Sequence, residues 1–205
     1  MVRIKICGIT NLEDALLAAE LGADALGFIF HVQSPRKVDA EAARAIIAQL
    51  PPFVAAVGVF VDEDTAVVRE LSANVGLDWV QLHGQESPDY CRSLGRKVIK
   101  AFRIQDEGSL RRLADYRGAA QAMLLDTYKK GQAGGTGEIF DWHLARKAKQ
   151  YGTIILAGGL TAENVAQAIA TAGPAAVDAA SGTEAAPGKK DPAKLRAFVE
   201  AAVSS

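Results

Sequence analysis

Short apolar segments alternate with segments of helical periodicity along the chain, and this alternation limits the possible folds more than any other feature. Eight apolar segments have the length and composition of buried strands: residues 3–7, 23–30, 54–61, 79–82, 98–103, 122–126, 153–157 and 176–179. Apolar runs without a polar face are typical of parallel strands that are covered on both sides. Helical segments between the strands would supply that cover, so the pattern predicts an α/β fold.

Helix start and stop signals fall between the predicted strands. A capping box runs from Thr10 to Glu13 and predicts the start of the first helix, which Gly22 would end. Proline follows two further N-cap candidates directly, at a position where the first helical turn needs no amide proton. The N-cap candidates of the later helical segments are Asp39, Ser87, Thr161 and Asp191.

The eight strand–helix units favour a closed (βα)8 barrel, the TIM barrel, formed by residues 1–205 as one domain. The units have similar lengths, with no long insertion between them, and no Gly-x-Gly-x-x-Gly motif follows the first strand. A chain of 205 residues suits one compact domain of this kind. The alternation does not by itself demonstrate closure, so an open, doubly wound sheet remains the alternative.

The composition is that of an ordinary globular protein, with 49% apolar residues, 23% charged residues and a formal net charge of −1. The lack of a basic run argues against nucleic acid and anionic membranes as partners. The longest apolar stretch, residues 54–61, is too short to cross a membrane, and the start resembles no signal peptide. The two cysteines and three histidines form no metal-binding spacing, so we expect no metal. Without an export signal, we expect both cysteines to be reduced thiols and the location to be cytoplasmic.

Four reactive side chains stand at or after the ends of predicted strands, where barrels of this kind build their active sites. Cys7 is a candidate base or nucleophile, with a small buried apolar role as the alternative. Arg36 is a candidate carboxylate ligand or else a solvated surface charge. His83 suits an acid, a base or a polar residue that lines the substrate site. Asp126 ends an apolar strand, which favours a carboxylate that faces a pocket.

Two loops that contain glycine follow the seventh and eighth strands and predict a phosphate site. Gly158-Gly159 and Ser181-Gly182 would let backbone amides approach a phosphate closely, at the usual phosphate position of this fold. The glycine-rich segment 128–137 is either a lid or a plain surface loop. Lys5 in the first strand is expected to form a structural ion pair with Asp178 in the neighbouring eighth strand.

These residues belong to a series of motifs that resembles one enzyme family over most of the chain. The motifs are Lys5-Ile-Cys7-Gly8-Ile-Thr10, Ser34-Pro-Arg36, Gln81-Leu-His83-Gly84, Leu125-Asp126, Gly134-Gly-Thr-Gly137, Ala157-Gly-Gly-Leu160, and Asp178 followed by Ser181-Gly182. Their order and spacing resemble the phosphoribosylanthranilate isomerase family of tryptophan biosynthesis, and the combination is highly specific.

The resemblance implies a (βα)8 barrel that needs no metal or cofactor and performs an Amadori rearrangement on a small phosphorylated substrate. N-(5-phosphoribosyl)anthranilate would become 1-(2-carboxyphenylamino)-1-deoxyribulose 5-phosphate. The resemblance also implies Cys7 as general base, Asp126 as general acid and Arg36 as ligand of the anthranilate carboxylate. The Gly158-Gly159 and Ser181-Gly182 loops would hold the phosphate.

The sequence departs from the family pattern at one point and sets one requirement on the chemistry. Ala179-Ala180 stand where the family commonly has Val-Ser, so one hydroxyl that would contact the phosphate or brace its loop is absent. A free thiol has a pKa of about 8.5, so a base at neutral pH needs a lowered pKa. We therefore expect a downward pKa shift for Cys7 and a modest thiolate fraction.

Other functions fit parts of the pattern. The analogous isomerase of histidine biosynthesis uses two aspartates, and Cys7 stands where the first would be. An aldolase would need a Schiff-base lysine, for which Lys100 is the mid-strand candidate. A phosphosugar-binding barrel without catalysis would need neither Cys7 nor Asp126 at a strand end. As to oligomeric state, the sequence leaves a monomer and a homodimer open.

Overall fold

Eight parallel strands close into a barrel in the computed structural model, which describes residues 2–127 and 141–205. Each strand pairs with the next one along the chain, and β8 pairs with β1. The strands are β1 (Arg3–Cys7), β2 (Ala25–Ile29), β3 (Ala55–Phe60), β4 (Trp79–Leu82), β5 (Lys97–Ile104), β6 (Ala122–Thr127), β7 (Ile154–Leu156) and β8 (Ala176–Ala179). The closure confirms the predicted (βα)8 barrel and is inconsistent with the doubly wound alternative.

Helices cover the outside of the barrel between consecutive strands. They are α1 (Leu12–Leu21), α2 (Ala40–Ile47), α3 (Thr65–Val75), α4 (Pro88–Ser93), α5 (Trp142–Ala148), α6 (Val165–Ala172) and α7 (Pro192–Val203). A 3-10 helix, Gly108–Tyr116, takes the helix position between β5 and β6. Among the described residues, no helix has the length and apolar character needed to cross a membrane.

Five of the predicted strands differ from the observed ones by one or two residues at their ends. The second strand, for example, was predicted to begin at residue 23, but the Ala23 amide donates to the Ala18 carbonyl and so closes α1. In β2, β3 and β7 the apolar segment extends past the point where the hydrogen-bond ladder ends, and only the ladder defines a strand. The ladders of β5 and β6 instead reach one residue beyond the predicted ends. The sequence therefore places strands correctly and their ends approximately.

Two predicted helix starts are wrong. Asn11, and not Thr10, caps α1, because the Asn11 side chain accepts from the Asp14 amide while the Thr10 hydroxyl donates to the Gly188 carbonyl. The sixth helix begins at Val165 and not directly after Thr161, whose amide donates to the Asn164 side chain in a turn. In the first case the Thr10 hydroxyl is used by a distant carbonyl in the hairpin before the last helix. In the second case the Asn164 side chain accepts from the turn before the helix and does not cap the helix itself.

A short hairpin between β8 and α7 was not predicted. A 3-10 turn (Ser181–Thr183) leads into antiparallel strands β9 (Glu184–Ala186) and β10 (Lys189–Lys190), and Gly188 between them has a positive φ of 80°. Two- and three-residue strands carry too few residues to show an alternating pattern. The Asp191 cap and the proline after it are correctly predicted as the start of α7.

A small apolar layer lies inside the barrel, below the polar side chains of its rim. It consists of Val57, Ile99, Ala101, Ala122, Leu124, Ile155 and Ala157. Successive side chains of a strand point to opposite faces, so Asp126 lies on the same side of β6 as Ala122 and Leu124. The larger apolar cluster fills the space between the strands and the helices, with Phe28, Leu82 and Phe198 fully buried in it.

Candidate active site

Closure of the barrel brings four strand ends together as one arc of its rim. β6, β7, β8 and β1 are consecutive neighbours in the barrel. Asp126 lies near the end of β6 and Cys7 at the end of β1, while Gly158-Gly159 follow β7 and Ser181-Gly182 follow β8. The residues predicted as acid and base therefore stand at the two ends of the arc, and both predicted phosphate loops lie between them.

Cys7 is a buried free thiol that faces the barrel interior. A Cβ atom on Gly27 of β2 would lie 2.7 Å from Cys7 Sγ and 3.1 Å from Lys5 Nζ, so glycine at this position makes room for both groups. Burial raises the pKa of the Cys7 thiol, and the positive charges of Lys5 and Lys190 offset this only in part. The predicted downward shift is therefore wrong, because desolvation outweighs the nearby cations.

The predicted ion pair between Lys5 and Asp178 is confirmed, with Lys5 Nζ 2.7 Å from Asp178 Oδ1 inside the barrel. Burial by itself would lower the pKa of Lys5, but the charges of Asp178 and Cys7 outweigh it and raise the pKa. Lys5 thus stays a cation beside the thiol, where it favours the thiolate over the neutral form.

His83 and Asp126 form a contact across the rim. His83 Nε2 lies 3.4 Å from Asp126 Oδ2, and His83 Nδ1 lies 3.3 Å from the amide nitrogen of Gln81. Both side chains are partly exposed, at 23% and 28%, as residues at a pocket opening would be.

Arg36 is held by the carboxylate of Glu184, a residue without a predicted role. Its Nε lies 2.8 Å from Glu184 Oε1 and its Nη2 lies 2.8 Å from Glu184 Oε2, a two-point ion pair. Arg36 also packs over Gly8, where a Cβ atom would come within 2.8 Å of Arg36 Cδ. Arg36 is therefore not a solvated surface charge but a fixed guanidinium next to the end of β1.

The two predicted phosphate loops contact each other directly. Gly158 and Gly159 have positive φ angles of 84° and 66°, a conformation that glycine adopts without strain. Among the described residues, no protein acceptor pairs with the amides of these two glycines. A Cβ atom on Gly182 would lie 2.0 Å from the Leu160 carbonyl oxygen, so only glycine lets the second loop approach the first.

The loop that lacks the family's hydroxyl is braced in another way. The Ala180 carbonyl accepts hydrogen bonds from the Thr183 hydroxyl at 2.8 Å and from the Thr183 amide at 3.2 Å. Thr183 is fully buried, so its hydroxyl is protected from water. The turn after β8 thus keeps a side-chain brace although Ala179-Ala180 provide none.

Three residues of the site were missed or given no role: Gln81, Glu184 and Lys190. Glu184 and Lys190 lie on the unpredicted hairpin, and their side chains are 4% and 0% exposed. A lysine directly before a helix cap gives no signal of burial in the sequence. The available signal was the position of Gln81 on β4, two residues before His83, which directly follows that strand, because residues two apart in extended chain share a face.

The candidate lysine of the aldolase alternative is fully engaged. Lys100 Nζ lies 3.0 Å from Glu86 Oε2 and donates to the carbonyls of Leu82, Gly84 and Ala101. Its side chain is 2% exposed. Lys100 is the neighbour of Ala101, which faces the barrel interior, so the lysine side chain points to the opposite face of β5. A buried ammonium with four acceptors is a poor nucleophile, so the structure argues against a Schiff base there.

Two further expectations concern the surroundings of the site. The predicted lid, residues 128–137 with its Gly134–Gly137 motif, lies outside the described residues. Within residues 2–127 and 141–205, no three histidine, cysteine or acidic side chains come close enough together to hold a metal ion.

The closed barrel and the polar arc at the carboxyl ends of its strands place the chain in the class of (βα)8-barrel enzymes. The profile described as N-(5′-phosphoribosyl)anthranilate isomerase matches residues 4–201. The chain belongs to this family.

Relatives named N-(5′-phosphoribosyl)anthranilate isomerase resemble the chain over nearly its whole length. The protein from Geobacter metallireducens is 54% identical over 98% of this chain and 99% of its own. A crystal structure of phosphoribosyl anthranilate isomerase from Thermotoga maritima superposes with a TM-score of 0.95 at 44% identity, with full coverage of both chains. A complex of such an isomerase with reduced 1-(o-carboxyphenylamino)-1-deoxyribulose 5-phosphate matches with a TM-score of 0.91 at 43% identity, again with full coverage of both.

Proposed function

We propose that this chain converts N-(5′-phosphoribosyl)anthranilate into 1-(2-carboxyphenylamino)-1-deoxyribulose 5-phosphate by an Amadori rearrangement in tryptophan biosynthesis. The observation that carries the proposal is the arc that has a buried thiol at one end, a carboxylate at the other and two glycine loops between them. Membership of the isomerase family supports the same reaction. The proposal assigns Asp126 as general acid and Cys7 as general base.

In the first step Asp126 would donate a proton to the ring oxygen of the ribose. The bond between that oxygen and C1 breaks, and the lone pair of the anthranilate nitrogen forms the C1=N bond of an iminium ion. The His83 contact to Asp126 Oδ2 holds the carboxyl group in place at the rim. Asp126 is left as a carboxylate, with the His83 imidazole next to it.

In the second step the Cys7 thiolate would remove the proton from C2. The electrons of that C–H bond form C1=C2, the iminium nitrogen becomes neutral, and the resulting enolamine tautomerises to the ketone. The substrate and product are isomers, so no oxidant or reductant enters. Lys5 and Lys190 favour the thiolate electrostatically, and the positive charge of the iminium favours the loss of the C2 proton.

Three groups would bind the parts of the substrate that do not react. Arg36 would bind the anthranilate carboxylate, and His83 would line the sugar site. The amides of Gly158-Gly159 and Ser181-Gly182 would bind the phosphate, which anchors the ribose between Cys7 and Asp126. Two binding points on either side of the ribose supply the orientation on which acid–base catalysis depends.

Turnover of N-(5′-phosphoribosyl)anthranilate by the purified chain tests the proposed function directly. The fluorescence of the anthranilate group reports its conversion, and we expect saturable turnover without added metal or cofactor. Binding of the phosphosugar without turnover would favour the non-catalytic barrel instead. Turnover of the analogous histidine-pathway substrate with comparable kcat/KM would contradict the assigned substrate.

Gly182→Ala tests the phosphate loops. The added methyl group cannot fit 2.0 Å from the Leu160 carbonyl oxygen, so the loop after β8 must move away from the loop after β7. We expect KM to rise about tenfold or more, because hydrogen bonds to a charged group are worth about 1.5–3 kcal/mol each. Gly108→Ala, in the exposed part of the 3-10 helix before β6, is the control and should leave KM unchanged. An unchanged KM for Gly182→Ala would contradict the assigned phosphate site.

The remaining expectations about partners and location belong to the same proposal. We infer a cytoplasmic location, which both free cysteines support and cell fractionation tests. Nucleic acid is not expected as a partner, given the net charge of −1. One solved relative is described as monomers generated from the dimeric enzyme of Thermotoga maritima. For this chain a monomer and a homodimer both stay open, and light scattering distinguishes them.

A further inference from the structure

Lys190 is a buried cation that the proposed mechanism does not use as acid, base or substrate ligand. Its side chain is 0% exposed, and its Nζ donates to the carbonyls of Cys7 at 2.7 Å and Ala180 at 3.2 Å. The same Nζ lies 3.3 Å from Glu184 Oε1. Burial lowers the pKa of Lys190, and the charges of Glu184 and Cys7 oppose this shift only in part, so the position of this lysine is costly in spite of its contacts.

The contacts of Lys190 join two strand ends that lie next to each other at the rim. Cys7 is the last residue of β1, and Ala180 directly precedes the Ser181-Gly182 loop after β8. The Lys190 amide donates to Asp14 of α1 at 2.7 Å, so the main chain at Lys190 is fixed as well. One ammonium group therefore sets the distance between the thiol-bearing strand end and the start of a predicted phosphate loop.

Glu184 extends this arrangement to the guanidinium of Arg36. The Nε side of Arg36 is occupied by both carboxylate oxygens of Glu184. A guanidinium has five N–H donors in a rigid plane, so the edge formed by Nη1 and Nη2 remains for a second carboxylate. Burial would raise the pKa of Glu184, but Arg36 and Lys190 outweigh it and lower the pKa, which keeps this carboxylate charged.

We propose that Glu184 and Lys190 are positioning residues that hold Arg36, Cys7 and the loop starting at Ser181 at the spacing the substrate requires. The inference rests on the proposed function, because the spacing matters only if one ligand spans all three points. Glu184 orients the edge of Arg36 that receives the substrate carboxylate. Lys190 fixes the base relative to the phosphate loop.

The charge of Lys190 has a second consequence for Cys7. The charged groups that act on the thiol are Lys5, Lys190 and Asp178, with Arg36 interacting from the loop after β2. Burial raises the pKa of Cys7, while Lys5 and Lys190 lower it. Removal of the Lys190 charge should therefore move the titration of Cys7 to higher pH. Glu184→Gln, which replaces the carboxylate by a neutral amide, should mainly weaken the contact that orients Arg36.

The experiment compares Glu184→Gln and Lys190→Met with the wild type and with Lys189→Met as matched control. Lys189 is the exposed neighbour of Lys190 on β10. Its substitution changes the net charge of the protein by the same amount but alters no residue of the candidate site. For each variant, kcat and KM are measured with N-(5′-phosphoribosyl)anthranilate. The ultraviolet absorbance of the Cys7 thiolate is titrated against pH, with the Cys7→Ala variant as blank.

We expect Glu184→Gln to raise KM about tenfold or more, while kcat and the Cys7 titration stay close to those of the wild type. Lys190→Met should lower kcat about tenfold or more at neutral pH and shift the Cys7 titration upward by about one pH unit. Lys189→Met should match the wild type in all three quantities.

An unchanged KM for Glu184→Gln would overturn the proposal. If circular dichroism shows that Lys190→Met is unfolded, the KM of Glu184→Gln alone tests the proposal. A fall in kcat for Lys190→Met with an unchanged Cys7 titration would also overturn it, because a loss of folded protein alone gives that result. A wild-type chain without turnover would overturn the proposed function and this inference with it, whereas an active wild type with unresponsive variants overturns the inference alone.

Discussion

Cys7→Ala is expected to lower kcat by about 10²- to 10⁴-fold, the usual contribution of a positioned general base. The variant keeps the barrel interior apolar at this position, and the Lys5–Asp178 pair below it remains. The substrate should still bind, because Arg36 and the glycine loops are unchanged, so KM should stay within a few-fold of the wild type. Steady-state kinetics with N-(5′-phosphoribosyl)anthranilate measures both constants.

Cys91→Ala is the matched control for the loss of a buried thiol. Cys91 lies in α4 on the outside of the barrel, where burial raises its pKa to about 11, so it carries no thiolate at neutral pH. We expect its kcat to equal that of the wild type. Near-normal turnover by Cys7→Ala would show that residue 7 is not the base and would remove the central assignment of the mechanism.

Asp126→Asn is expected to lower kcat by a similar factor, about 10²- to 10⁴-fold. Asparagine has nearly the same shape as aspartic acid but cannot give up a proton to the ring oxygen, so the sugar ring would open only slowly. The change keeps a polar group facing His83, which limits structural disturbance. KM should change little, and single-turnover measurements should show that ring opening has become the slow step.

Asp89→Asn is the control for the loss of a carboxylate. Asp89 is 94% exposed and pairs with Arg92 on the surface of α4, and surface ion pairs contribute little. Its kcat should match the wild type. If Asp126→Asn instead retained kcat while KM rose sharply, residue 126 would be a binding group and the acid would have to be sought elsewhere, with His83 as the nearest candidate.

Much of the site could be predicted from the positions of reactive residues relative to strand ends. Cys7 and Asp126 are candidates because each ends a predicted apolar strand, and the structure places both at the rim. The glycine loops were identified in the same way. Glu184 was not, because the hairpin that carries it is too short to leave a pattern, and its partner Arg36 is separated from it by 148 residues.

The amino-acid sequence by itself determined the number and order of the eight barrel strands and the residues that follow them, because hydrophobic periodicity and capping are local properties. Tertiary structure decided which strand ends become neighbours, and it brought Lys190 within 2.7 Å of the Cys7 carbonyl across 183 residues. It also decided the direction of the Cys7 pKa shift. Desolvation and charge act through space, so their balance depends on all groups that surround the sulfur and not on the residues beside it in the chain.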